Sequence, residues 1–152
     1  MHASKLELFA VESPTLQFPS YTSLTVAECD EIQSRLASHL QLAGSADGLA
    51  IVMALEQAAD PVPHMNALDE DFDLNAALAA AGVRELESVL INWHRFDDID
   101  AIGRDDAVRH FLALWYPTAE AIDFFDASCR WVVSIGYEGE IRIANFDGDG
   151  AS

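Results

Sequence analysis

Apolar residues recur at helical spacing most clearly between residues 29 and 40, where Cys29, Ile32, Leu36 and Leu40 fall on one stripe. Thr25 and Glu28 precede that stripe with the T-x-x-E spacing of a capping box, and Gly44 stands where a C-cap belongs. The next segment, "GLAIVMALEQAAD", mixes its signals. Ile51 and Val52 favour strand, but the alanines, Met53, Leu55, Glu56 and Gln57 favour helix, so a second helix is expected there. Residues 5–11 read as a short extended segment, broken by Pro14 and Pro19. Pro61 and Pro63 make "PVPHMNALDED" a loop, and Asp73 is placed to cap a short helix over 74–81 that Gly82 ends.

The periodicity changes after residue 85. "ESVLINWHRF" is rich in β-formers and predicts a strand over 88–95, followed by an acidic connection over 97–103. In "RDDAVRHFLALWY", Val108, Phe111, Leu112 and Trp115 fall at i, i+3, i+4 and i+7, which predicts one amphipathic helix stopped by Pro117. Asp105 and Asp106 sit in its first turn, at the positive end of the helix dipole. "TAEAIDFFDAS" reads either as a short helix or as an irregular acidic segment. Two β-rich runs flank "GYEG" in "CRWVVSIGYEGEIRIANF", the pattern of a hairpin. Together these elements predict a single α+β domain over 1–152, with N-terminal helices packed on a small C-terminal antiparallel sheet that ends in the hairpin. Its core is expected to draw on Leu36, Leu40, Val89, Ile91, Phe111, Leu112, Trp115, Trp131, Val133, Ile135, Ile141 and Ile143.

Composition leaves room for that core: 51% of the 152 residues are hydrophobic. No apolar run approaches the roughly 20 residues of a membrane span. "MHASKLELFAVESP" lacks a basic start followed by a long apolar stretch, so no signal peptide and a cytoplasmic location are expected. Cys29 and Cys129 lie in no CxxC pair and read as small buried hydrophobes.

Charge changes the picture most. The chain has 26 acids against 8 bases, a formal net charge of −18, and Lys5 is its only lysine. Such a balance repels phosphates, which disfavours direct nucleic-acid binding and anionic membranes. It permits a basic protein partner, a cation, or nothing more than solubility.

The chemical motifs fail on inspection. "DEDFD", residues 69–73, opens like a calcium loop, but the required glycine is Leu74 and the closing glutamate is Ala80. "NFDGDGAS" repeats the acid spacing without a closing ligand. The histidines lie in no zinc pattern, and His94 with Asp97 or Asp98 is the remaining metal-capable arrangement. No nucleophile elbow or phosphate-binding glycine loop occurs. With so many carboxylates, no pair of them is diagnostic of acid–base catalysis. The expectation is a protein without catalytic residues, metal or cofactor.

What remains is the placement of the acids. Asp97, Asp98, Asp100, Asp105 and Asp106 lead into the predicted 104–116 helix, and Glu120, Asp123 and Asp126 follow it. Trp93, Trp115, Tyr116 and Trp131 border these clusters. The eight acids are expected to form a partner-binding surface, with Tyr116 as an aromatic anchor.

Residues 89–143 contain "INWHRFD", "LWYP", "IDFFDAS" and "WVVSIGYEG". This combination resembles small bacterial immunity proteins of polymorphic toxins, of the contact-dependent and type VI secreted kinds. Where that pattern places two acids after its W-Y-P run, this chain has "AEAID". The resemblance implies a non-catalytic protein that binds a cognate toxin domain. Many such toxins are nucleases or deaminases with basic surfaces, which carboxylates can occupy in place of phosphates. The alternatives are an acidic adaptor or regulatory domain unrelated to toxins, and a small enzyme or metal-binding domain.

Overall fold

The β-rich runs of the C-terminal half pair as antiparallel strands, but they form only the middle of a larger sheet. The computed structural model describes residues 1–43 and 47–146. Gly44 and the acids of the C-terminal tail fall outside the described residues. Elements follow in the order α1 (Ala3–Glu12), β1 (Tyr21–Ser23), α2 (Val26–His39), α3 (Gly48–Ala58), β2 (Asp60–Asn66), α4 (Leu74–Ala80), β3 (Ser88–His94), β4 (Asp98–Gly103), α5 (Arg104–Arg109), α6 (Phe111–Leu114), β5 (Ile122–Phe125), β6 (Trp131–Ile135) and β7 (Glu140–Asn145). The seven strands lie in the order β1-β4-β3-β5-β6-β7-β2, every pair antiparallel. The fold is α+β, as the sequence pattern predicts.

Alternation along the strands builds two cores. Val89, Ile91, Ile102, Ile122, Phe124, Val133 and Ile141 pack with Leu74 and Leu78 of α4, Ala107 of α5 and Phe111 and Leu114 of α6. On the opposite face, Ile99, Phe125, Val132 and Ala144 pack under Cys29, Ile32 and Leu36 of α2 and Ile51 and Leu55 of α3. The result is three layers, helices on both faces of one sheet. Thr25 and Glu28 form the complete capping box at the start of α2, and the Asp73 carboxylate caps α4 by accepting from Asn75 N at 3.0 Å. The hairpin turn closes with Gly139 at φ +83°, a conformation that favours glycine.

Several expectations need correction. Residues 5–11 are helical, not extended: the buried positions are Lys5 and Phe9, four apart, so the face follows the helical period rather than the Leu6/Leu8 alternation. The segment 60–66 is a strand rather than a loop. It lies at the sheet edge and pairs only with β7, where Pro61 and Pro63 can forgo their missing N–H groups. The acidic connection over 97–103 is mostly strand β4, and residues 122–125 of "TAEAIDFFDAS" form strand β5 rather than a helix or irregular segment. The single helix predicted over 104–116 is two short ones, broken at His110 (φ −109°, ψ 25°). That break turns Leu112 out to 77% exposure and puts Leu114 into the core in its place. The sheet is also not confined to the C-terminal half, since β1 and β2 supply its two edges.

Candidate functional site

The predicted acids do not share one surface. Asp100, on β4, is fully buried. Its carboxylate accepts from Ser23 Oγ at 2.6 Å and Trp93 Nε1 at 2.8 Å, and it pairs with the Met1 α-amino group. Glu120 accepts from Lys5 Nζ and, at 3.1 Å, from Tyr116 N, while its carbonyl takes the Trp115 indole N–H at 3.0 Å. Lys5 Nζ lies 4.0 Å from the Tyr116 ring centre and 5.1 Å from that of Trp93, so Tyr116 is occupied by an internal cation. Burial lowers the Lys5 pKa against the opposing pull of Glu120, and burial followed by the Glu12 and Glu120 charges raises that of Tyr116. Asp126 organises the β5–β6 turn, accepting from Ser128 N at 2.9 Å and Trp131 Nε1 at 3.1 Å. These groups act within the fold, and the buried position takes Asp100 out of a partner's reach. Asp105 is exposed and Asp106 partly buried in the first turn of α5.

Asp97 and Asp98 face outward at the β3–β4 turn. Asp97 Oδ1 lies 2.9 Å from His94 Nδ1, and Asp98 Oδ2 lies 3.9 Å from His2 Nε2. The turn is fixed from inside: Asn92 Oδ1 accepts from His94 N at 3.1 Å and Phe96 N at 2.7 Å. Gln33 of α2 donates to the Phe96 carbonyl at 3.1 Å and ties the helix to the turn. Asp30, exposed and next in sequence to Cys29, lies on the same helix as Gln33. The buried Cys29 thiol is pushed up first by burial, then by the charges of Asp97, Asp98 and Asp30, against a hydrogen bond from the Ile99 backbone. The outward acidic patch is therefore Asp30, Asp97 and Asp98. Asp30 lies more than sixty residues upstream in the chain, and nothing in its local pattern marks it. Cys129 is also buried and free, its thiol pushed up to about 12, chiefly by burial.

A second feature lies on the sheet face beneath α2 and α3. Leu90, Phe125, Val132 and Ala144 are cross-strand neighbours and form an apolar row packed with these helices. Two residues along each strand the row becomes Asn92, Asp123, Ser134 and Arg142, again neighbours in that order. This polar row lines a cleft of about 820 Å³, walled on one side by Leu49, Val52 and Glu56 of α3 and on another by Tyr137. Asp123 is held from both sides, by Ser134 Oγ at 2.6 Å on Oδ1 and Asn92 Nδ2 at 2.9 Å on Oδ2. Burial raises its pKa, the two hydrogen bonds oppose the rise, and Glu56 adds to it. Asn92 thus serves two ends, fixing the acidic turn through its carbonyl and the cleft carboxylate through its amide. Neither Asn92 nor Ser134 stands in a recognisable motif; only the strand register brings them to Asp123.

Among the described residues, no group of three or more His, Cys, Asp or Glu side chains is arranged to hold a metal. No helix there is long and apolar enough to cross a membrane. No family model, curated protein or solved structure matches the chain.

Proposed function

We propose that the protein is a non-catalytic immunity protein, which binds and neutralises a basic bacterial toxin domain of the nuclease or deaminase type. The surface that supports this reading is the patch of Asp30, Asp97 and Asp98. Among the described residues the side chains of Asp97 and Asp98 pair with imidazoles alone, so both carboxylates keep acceptor capacity for a partner's cations. The chain's charge of −18 extends their field and speeds encounter with a basic surface. At contact, arginine and lysine side chains that normally grip phosphates would form charge-assisted hydrogen bonds to these carboxylates. The frame behind the patch is rigid, because Asn92, Gln33 and the buried Cys29 fix the turn against α2. A preordered surface loses less entropy on binding.

The test is to read the neighbouring reading frames and co-express the protein with any basic domain that they encode. Growth should be restored by the wild-type protein and lost with the Asp30→Asn, Asp97→Asn, Asp98→Asn triple variant. In vitro, affinity should fall steeply as salt rises. Full rescue by the triple variant would overturn the choice of surface. If the wild-type protein neither rescues growth nor binds, the immunity reading is wrong.

A further inference from the structure

The cleft beside the polar row holds charges of both signs that form no ion pair among the described residues. Asp123 receives two neutral hydrogen bonds and has no cationic partner among the described residues. Arg142 stands two strands away in the same row, with Ser134 between them, and likewise has no carboxylate partner. At about 4.8 Å per strand their backbones are roughly 10 Å apart. Both residues line the same cleft, so a flexible small molecule spanning about that distance can reach both charges. Glu56 and Arg95, also in the lining, repeat the two signs. A simple cation would meet the two arginines, and a simple anion would meet three carboxylates, Glu140 being the third.

We propose that this cleft binds a zwitterionic small molecule of the amino-acid class, its ammonium on the Asp123 carboxylate and its carboxylate on the Arg142 guanidinium. Three features favour a ligand over bulk water. The volume, about 820 Å³, falls in the range of small-molecule sites. Asp123 is oriented by donors from strands on both sides, and Asn92 is itself held by two backbone N–H groups, so the carboxylate is preorganised. Its surroundings mix those polar groups with the apolar wall of Leu49 and Val52 and the Tyr137 ring, the usual make-up of a binding cleft. None of the three patch carboxylates lines the cleft, although Asn92 and His94 border both, so the two proposals are tested by different variants and fail separately.

The experiment is NMR titration of the intact protein with glycine, γ-aminobutyrate and ε-aminocaproate, alongside the half-ligands butylamine and butyrate. At least one zwitterion should shift the Asn92 side-chain amide and the Ser134 backbone amide. It should bind roughly tenfold or more tightly than either half-ligand, the effect of one added charged contact. Asp123→Asn should remove amine recognition, and Arg142→Gln, at an exposed position, should reduce the zwitterion to the affinity of butylamine. Thermal melts of both variants establish that they are folded. Absence of any shift at millimolar ligand would overturn the proposal. Half-ligands equal to the zwitterions, or binding unchanged in both variants, would do the same.

Discussion

Asp98 and Asp100 are two residues apart on one strand, yet their carboxylates sit in different media. Asp98 is 43% exposed and faces His2 across 3.9 Å, in the company of Asp97 and Asp30. Asp100 is fully buried among a hydroxyl, an indole N–H and an ammonium. Asp123, on the other face of the sheet, is intermediate: held by neutral donors, partly buried, and open to a cleft. A run of acids in sequence is therefore not one electrostatic object. Carboxylates at the turn supply field to solvent, those inside join elements together, and the one in the cleft is positioned without being neutralised.

The sharpest way to break this comparison is to treat the buried carboxylate as though it were a surface one. Asp100→Ala strands the Met1 ammonium and the Trp93 indole N–H, and breaking a buried pair costs about 3–5 kcal/mol. Urea denaturation should show that loss; a change below about 1 kcal/mol would place Asp100 with the surface acids. Gly48→Ala tests the joint between the two regions. A Cβ there would lie 2.2 Å from the Arg95 carbonyl, so α3 must shift away from the β3–β4 turn. Overpacking of this kind costs about 1–3 kcal/mol, read as a lowered denaturation midpoint together with shifted amides at both the turn and the cleft.

A third prediction concerns pH. Asp123 has a raised pKa in the native state, so between the ordinary aspartate range and that raised value the folded protein holds a proton that the unfolded chain has released. That contribution to stability is complete below the ordinary aspartate range, about pH 4, and is lost as pH climbs through the raised value. Asp123→Asn can keep both bonds, accepting from Asn92 and donating to Ser134 Oγ, without a charge. The variant should be more stable than wild type at neutral pH and should show a flatter stability profile above pH ~4. Parallel profiles for the two proteins would show that Asp123 titrates like an exposed acid. The smallest effect on stability belongs to the triple Asp→Asn variant of the patch, within about 0.5 kcal/mol, as for ordinary surface substitutions. Its consequence should appear in the association rate with a basic partner at low salt, and vanish at high salt.

The local signals read correctly are those that end or punctuate elements. The Thr25–Glu28 capping box, the Asp73 cap and the "GYEG" hairpin are all present, because each rests on bonds close along the chain, and the strand predicted over 88–95 is present over 88–94 because its β-formers fit the sheet interior. The α+β class and most of the aliphatic core follow from the same periodicities. Errors cluster where a short segment is chosen by its neighbours. Asp60–Asn66 and Ile122–Phe125 are strands because an open sheet edge and a gap between β3 and β6 accept them, and propensity alone argues against the first. The His110 break, which exchanges Leu112 for Leu114, is equally a matter of packing against the sheet.

For the candidate sites the division is sharper. Composition alone sets the negative charge, and with it the sign of charge that the proposed partner would have to present. Which carboxylates meet that partner is a tertiary outcome. A side chain's identity fixes its charge, while its exposure and its bonds depend on residues brought from elsewhere: Met1 and Ser23 to Asp100, Asn92 and Ser134 to Asp123. Those meetings are fixed by strand register and helix docking, and no local pattern records them.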